Sequence, residues 1–258
     1  MISLVMITTN LPNPNYELQD IVIANAESCA RNTDTITEKI LSVDMFANQG
    51  RSKEYYAKYV ARGWKVIFGV AGSRRSLADN HLRGVSEAEN DWVLTCEDDT
   101  LIRKIPSKEE FEFLVSKDLG VLTYNADIIQ DSDIVLSTYH INNKNNYLVW
   151  GDDCFLVKNQ DIRNMWLLNF PAVIIRKTHM LQLHTIAKTI SRVAFEAAMT
   201  IAWKQLNPKK EIMMFLNSAV LQNEIINQDM LCKNAHLFYC NNDTSLKHVT
   251  LNKGCIWT

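Results

Sequence analysis

Short apolar runs alternate with segments of helical periodicity over the first hundred residues of the chain. Such alternation is typical of β-α-β units, in which helices connect neighbouring parallel strands. It therefore predicts an α/β fold with a mainly parallel sheet flanked by helices. The predicted strands are Ile2 to Ile7, Lys39 to Val43, Trp64 to Val70 and Trp92 to Cys96, and the predicted helices are Tyr16 to Arg31, Ser52 to Arg62 and Leu77 to Ala88.

The second half of the chain has a less regular pattern, in which strands and helices no longer alternate strictly. Ile134 to Ile141 and Tyr147 to Lys158 are interpreted as an antiparallel pair, so we expect the sheet to become mixed. The other predicted elements of this half are helices over Lys108 to Ser116 and Leu181 to Leu206, and strands over Gly120 to Tyr124 and Glu211 to Leu221.

Length and composition indicate a globular chain, because 258 residues with 47% hydrophobic content can bury a full core. No repeat and no linker rich in Pro, Gly or Ser divides the sequence, so we expect residues 1–258 to form a single domain. Lys and Arg total 27 against 29 for Asp and Glu. This balance excludes a global positive field directed at nucleic acid or a membrane surface.

The cysteines and the first residues predict where the protein works. Six cysteines without a CxxC pair argue against a zinc ribbon and a secreted disulfide framework, and favour reduced thiols. The opening residues lack a basic segment and turn polar at Thr8, so they are interpreted as a buried strand and not as a signal peptide. No stretch has the length of a membrane span. We therefore expect a cytoplasmic protein without stable membrane insertion.

The acidic triplet Glu97-Asp98-Asp99 follows the apolar strand WVLTC, and ligands of open α/β sheets bind at the carboxyl ends of strands. Adjacent carboxylates repel one another unless a cation neutralises them, and Mg²⁺ or Mn²⁺ completed by phosphate oxygens meets that need. Alternation along an extended chain places Glu97 and Asp99 on one side and Asp98 on the other. A solvated acidic turn is the alternative interpretation.

The segment DWVLTCEDDT, residues 91–100, resembles the acidic metal-binding segment of GT-A glycosyltransferases, in which a strand of the type WVLxxEDD ends in a DxD-like motif. The preceding LADNHLRGVSEAE is similar to the helix that families 2 and 25 place there, although Asp79 stands where family 2 has an arginine. NSAVLQN is similar to a late strand of such transferases, with Asn223 in place of a histidine. The resemblance implies a Rossmann-like GT-A fold, with residues 1–105 binding a nucleotide-sugar and residues 106–258 the acceptor.

The same resemblance implies roles for individual residues. Glu97 and Asp99 would hold Mn²⁺ or Mg²⁺ against the donor diphosphate, while Asp98 would contact the ribose or the sugar. Because the family arginine is missing, Arg74 or Arg75 would supply the cation that faces phosphate. The remaining expected contacts to the nucleotide-sugar are Thr8, Thr9, Asn10, Asp44 and Asn80.

An inverting transfer needs a carboxylate that deprotonates the acceptor hydroxyl. Glu196 falls where the resembling family presents its base, and its apolar surroundings in RVAFEAAMT would raise its pKa. The alternative interpretation is one exposed residue on an amphipathic helix. Asp152 and Asp153, which follow Trp150-Gly151, are the competing candidates for the catalytic base. In a retaining enzyme Glu196 would lose this role.

The predicted function is metal-dependent transfer of a sugar from a nucleotide-diphosphate donor, a UDP-sugar above all, to a hydroxyl on a glycan or related polymer. Sugar-nucleotide pyrophosphorylase chemistry is disfavoured, because TTNLPNPN stands where that chemistry needs a Gly-rich loop. Two alternatives stay open: a transferase acting on hydroxymethylated DNA bases, and a catalytically silent GT-A module. The DNA alternative depends on residues 51–65, which carry five basic residues among aromatic ones.

Overall fold

The computed structural model of the chain describes residues 1–10, 16–45, 50–71, 77–98, 100–102, 105–116, 121–130, 133–135, 147–150, 154–158, 172–190, 195–206, 211–222, 250–251 and 255–256. Its strands are β1 (Ile2–Thr9), β2 (Ile36–Asp44), β3 (Lys65–Phe68), β4 (Trp92–Glu97), β5 (Thr100–Ile102), β6 (Val121–Gln130), β7 (Asp133–Val135), β8 (Tyr147–Trp150), β9 (Cys154–Lys158), β10 (Ala172–Arg176), β11 (Glu211–Gln222), β12 (Thr250–Leu251) and β13 (Cys255–Ile256). Its helices are α1 (Tyr16–Arg31), α2 (Ala57–Val60), preceded by a 3-10 turn over Lys53–Tyr56, α3 (Leu77–Ser86), α4 (Lys108–Ser116), α5 (Lys177–Ala187) and α6 (Phe195–Leu206).

The N-terminal half of the main sheet is parallel, in the order β3-β2-β1-β4. Strand β1 lies between β2 and β4, and seven of its eight residues are buried because the strand carries no charge. Helix α3 packs closely on this half through Gly84, where a β-carbon would lie 2.7 Å from Val5 Cγ1. The predicted parallel arrangement of β-α-β units is confirmed.

The sheet becomes mixed beyond β4, as the sequence predicts. Strand β10 lies antiparallel between β4 and β6, and β11 then pairs parallel with β6 and antiparallel with β9. The short strand β5, which follows the acidic triplet, pairs antiparallel with β11. One continuous sheet thus joins strands from both parts of the sequence, in the order β3-β2-β1-β4-β10-β6-β11-β9-β8.

Three predictions about the second half are wrong in detail. Within the described parts of Ile134–Ile141 and Tyr147–Lys158, β7 pairs with β6 and β8 pairs with β9, in place of the expected pair. The expected helix from Leu181 to Leu206 is divided into α5 and α6. Strand β10 is absent from the sequence prediction.

One core cluster of the described residues is formed by one face of the sheet and the helices α3, α5 and α6. Strand residues such as Val93 and Val173 meet Met180 and Leu183 of α5 and the fully buried Trp203 of α6. Within the described ranges, no helix is both long and apolar enough to cross a membrane.

Two described cysteines bear on the expectation of reduced thiols. Cys96 of β4 is buried and reduced, in agreement with the expectation. Cys29 of α1 is disulfide-bonded, so the expectation is wrong at that position.

Candidate functional site

The carboxyl ends of β1, β2 and β4 meet at one edge of the sheet. In the parallel register Thr9 stands opposite Asp44 of β2, and Ile7 stands opposite Glu97 of β4. This edge brings together several residues that the sequence singled out: Thr8, Thr9, Asn10, Asp44, Glu97 and Asp98. It is the position at which open α/β sheets bind their ligands.

Asp98 turns inward from the acidic triplet and is held by neutral donors. Its Oδ2 atom accepts hydrogen bonds from Thr8 Oγ1 at 2.6 Å and from Gln19 Nε2 at 2.7 Å. The backbone of Thr9 and of Asp98 itself also bonds this carboxylate. Burial raises the pKa of Asp98 above its ordinary value, and these hydrogen bonds offset only part of that effect.

Backbone hydrogen bonds of Asn10 connect the end of β1 to the end of β2 and to Arg51, which follows β2 in the chain. Its backbone N–H donates to the Asp44 carbonyl at 2.9 Å, and its own carbonyl accepts from the Arg51 N–H at 3.2 Å. A β-carbon at Gly50 would overlap the Asn10 carbonyl, so this close approach requires glycine. The buried Asn10 is therefore held in place by backbone contacts on both sides.

Asn80 of α3 links the end of β1 to the end of β2 through hydrogen bonds of its side-chain amide. Its Nδ2 donates to the Thr8 carbonyl at 2.8 Å, and its Oδ1 accepts from Ser42 Oγ at 2.7 Å and from Arg83 Nη2 at 2.5 Å. The residue is 3% exposed. Because its amide is engaged within the protein, the structure gives Asn80 a positioning role, and its expected contact with a donor stays a prediction.

Arg83 is a cation at this edge that the sequence analysis missed. It donates from Nη2 to the Val43 carbonyl at 3.3 Å. A β-carbon placed on Gly69 would lie 3.0 Å from Asp44 Oδ1 and 3.1 Å from both Arg83 Nη atoms. The carboxylate and the guanidinium therefore flank the same glycine. The signal available in the sequence was the spacing of three residues from Asn80, which places both side chains on one face of α3.

Several predicted site residues cannot be placed. Asp99, Arg74, Arg75, Asp152 and Asp153 lie outside the described residues, and Glu196 is the second residue of α6 with a side chain outside the description. No group of three or more His, Cys, Asp or Glu side chains suited to a metal occurs in the described ranges, which omit Asp99. The metal site and the catalytic base therefore stay predictions.

The basic and aromatic segment of residues 51–65 packs against α1 around Asp20. Arg51 Nη1 and Lys58 Nζ each lie 3.0 Å from an Asp20 carboxylate oxygen, and the hydroxyls of Tyr55 and Tyr59 donate to the same carboxylate. Burial acts to raise the pKa of Asp20, but these partners together hold it below its ordinary value. Arg62 and Lys65 are likewise paired with Glu27 and Glu87, so four of the five basic residues of the segment have carboxylate partners within the protein, which gives no support to a nucleic-acid surface.

Comparison with known proteins identifies the fold. No family model and no curated sequence matches the chain. Among solved structures, S. aureus TarS matches with a TM-score of 0.59 and 14% identity over 90% of this chain and 38% of that chain. TarS residues 1–349 in complex with UDP-GlcNAc match with a TM-score of 0.55 and 13% identity, over 89% of this chain and 60% of that one. The same segment in complex with UDP gives 0.57 and 12%, over 92% and 64%.

These neighbours define the class of fold and no more. TarS is a GT-A-type glycosyltransferase, and the present chain has the same mixed sheet flanked by helices, so the predicted GT-A fold is confirmed. The chain spans between 38% and 64% of the length of these structures.

Proposed function

We propose that this chain is a glycosyltransferase that transfers a sugar from a nucleotide-diphosphate donor, specifically a UDP-sugar, to an acceptor hydroxyl. The observation that carries the proposal is the convergence of Thr8, Asp44 and Asp98 at the carboxyl edge of a GT-A sheet. Solved structures of the same fold were obtained with UDP and with UDP-GlcNAc.

The nucleoside would bind between the ends of β1 and β2. Hydroxyl and amide groups of Thr8, Thr9 and Asn10 are suited to hydrogen bonds with uracil and ribose, and the Asp44 carboxylate is suited to an N–H or O–H donor. Arg83 lies beside Asp44, and Arg74 or Arg75 would meet the diphosphate. Cationic groups at this position offset the charge of the phosphates.

A divalent cation, Mn²⁺ or Mg²⁺, fits the chemistry of the acidic triplet. Since Asp98 is directed toward Thr8 and Gln19, the carboxylates left to hold the ion are Glu97 and Asp99. Such an ion would stabilise the negative charge of the leaving diphosphate. This division of roles follows the alternation of side chains along an extended chain.

The acceptor half would supply the base that takes the proton of the attacking hydroxyl. Glu196 in α6 is the first candidate, and Asp152 or Asp153 the second. We propose a hydroxyl on a glycan or related polymer as the acceptor. Hydroxymethylated DNA is the weaker alternative, because Arg51 and Lys58 are already paired with Asp20.

Thermal unfolding with UDP-, GDP- and dTDP-sugars, each with and without Mn²⁺, tests the proposal. A ligand that binds the native state raises its stability, so we expect a Mn²⁺-dependent rise in Tm with a UDP compound and loss of that rise in Asp99→Ala. Absence of any shift with every nucleotide-sugar would overturn the proposal. Binding without Mn²⁺-stimulated hydrolysis or transfer would identify a silent binding module.

A further inference from the structure

Gln19 is a buried side chain whose two amide atoms have unequal surroundings. It belongs to the first part of α1 and is 6% exposed. Its Nε2 donates to Asp98 Oδ2 at 2.7 Å and makes a long contact of 3.5 Å with the Thr9 carbonyl. Its Oε1 is inaccessible and, among the residues that the structure describes, has no hydrogen-bond partner.

This arrangement is unfavourable for a residue with a purely structural role. A buried amide oxygen without a partner loses its hydration and gains nothing in return. An apolar side chain of the same length would fill the space without that penalty. The hydrogen bond from Gln19 instead ends on Asp98, whose pKa burial has already raised. What the glutamine provides is therefore the orientation of one carboxylate.

Gln19 and Thr8 act on the same atom from two different elements. Both donate to Oδ2 of Asp98, Thr8 from the end of β1 and Gln19 from α1. Gln19 precedes Asp98 by 79 residues in the chain, and Thr8 precedes it by 90 residues. Two donors on one oxygen restrict the orientation of a carboxylate far more than one donor does. A carboxylate that is already restricted loses less conformational entropy when it binds a ligand.

We propose that Gln19 is a positioning residue for nucleotide-sugar binding, which acts by holding Asp98 in the orientation that meets the ribose or the sugar of the donor. The inference rests on the proposed function, since it gives a role to a residue that supports the same site. It adds a residue of α1 to a site otherwise built from strand ends and α3.

The test compares Gln19→Met with the exposed control Gln182→Met on α5. Methionine keeps the length of the side chain but removes both the donor and the unpaired acceptor. We expect the Tm of the ligand-free Gln19→Met protein to stay at the wild-type value, while the Kd for UDP in Mn²⁺ rises about tenfold, the lower range for a hydrogen bond to a charged group. Gln182→Met should change neither quantity.

A double-mutant cycle with Asp98→Ala separates positioning from a general effect on the fold. If Gln19 acts through Asp98, Gln19→Met adds no further loss of UDP affinity once Asp98 is replaced. A lowered Tm with unchanged Kd in Gln19→Met, or losses that add in the double variant, would overturn the inference while wild-type binding of UDP leaves the proposed function standing. Failure of the wild-type protein to bind any nucleotide-sugar would overturn both.

Discussion

Asp20 and Asp98 are two carboxylates held in opposite ways, one at Asp20 of α1 and the other by Gln19, the preceding residue of the same helix. Asp20 is surrounded by Arg51, Lys58 and two tyrosine hydroxyls, and its pKa is lowered. Asp98, which Gln19 holds, receives only uncharged donors from the described residues, and its pKa is raised. The charge of a carboxylate with cationic partners is balanced within the protein. A carboxylate with neutral donors needs a further cation or a ligand to balance its charge. The contrast separates a structural region from the proposed binding region.

The largest expected effect comes from Asp98→Asn, which removes the charge but keeps the shape. We expect the affinity for UDP in Mn²⁺ to fall about a hundredfold, the effect of losing a charge-assisted hydrogen bond, with little change in Tm because burial already penalises the charged form. Titration calorimetry and thermal unfolding of the same preparation measure both quantities. A large fall in Tm with full UDP affinity would show that Asp98 is structural and would remove the contrast.

The matched change Asp20→Asn should have the reverse pattern. Loss of the charge leaves Arg51 and Lys58 without their anion and weakens two tyrosine hydrogen bonds. We expect a loss of about 2 kcal/mol in the free energy of unfolding, or roughly 4–8 °C in Tm, with UDP affinity changed less than about threefold. Urea unfolding checks the first number and calorimetry the second. An unchanged Tm would contradict a structural role for the Asp20 cluster.

A smaller effect is expected from replacing one histidine of the pair His81 and His184, which are buried on α3 and α5 and joined by a 2.8 Å hydrogen bond. Burial lowers the pKa of His81 well below its ordinary value, and burial together with Lys188 lowers the pKa of His184 to about 4. Unfolded histidine binds a proton near pH 6.5. Stability should therefore be full above about pH 6.5 and fall as the pH drops toward 4, by up to about 1.4 kcal/mol per pH unit for each histidine.

Urea midpoints at pH 7.5 and pH 5.5 measure this dependence. His184→Gln keeps hydrogen-bonding capacity without a titrating group, so it should have a shallower loss of stability between the two values. An equal loss in the variant and the wild-type protein would place the pH dependence elsewhere. The pair sharpens the comparison, because it shows what burial does to two groups for which no ligand is proposed.

The sequence predicted local structure well where the periodicity within a single segment is enough to identify the element. The bounds of α1 and α4 agree with the predicted Tyr16 to Arg31 and Lys108 to Ser116 because each has several turns of amphipathic periodicity. Strand β10 was missed because AVIIR is a five-residue apolar run without periodicity, and only the neighbouring strands decide its conformation. Position after β4 located Glu97 and Asp98 correctly at the edge of the sheet.

The site contacts were less predictable, because they join residues far apart in the chain. Gln19 and Asp98 are separated by 79 residues and Asp20 and Arg51 by 31. Nothing in either local pattern marks the partner. Asn80 illustrates the opposite problem, since its motif position suggested a ligand contact while its amide braces two strands. A sequence motif predicts the position of a residue in the fold. The packing of neighbouring elements determines the direction of its side chain.

The antiparallel placement of β10 has a consequence for synthesis of the chain. Ala172 pairs with Cys96, so the outer edge of β4 acquires its partner only after some seventy further residues have been made. Until then an apolar strand, whose single charged residue is the terminal Glu97, presents unpaired backbone groups with which other chains can pair. The ribosome-bound intermediate is therefore the state most exposed to aggregation, and a chaperone would protect it most effectively in the interval before residue 172 emerges.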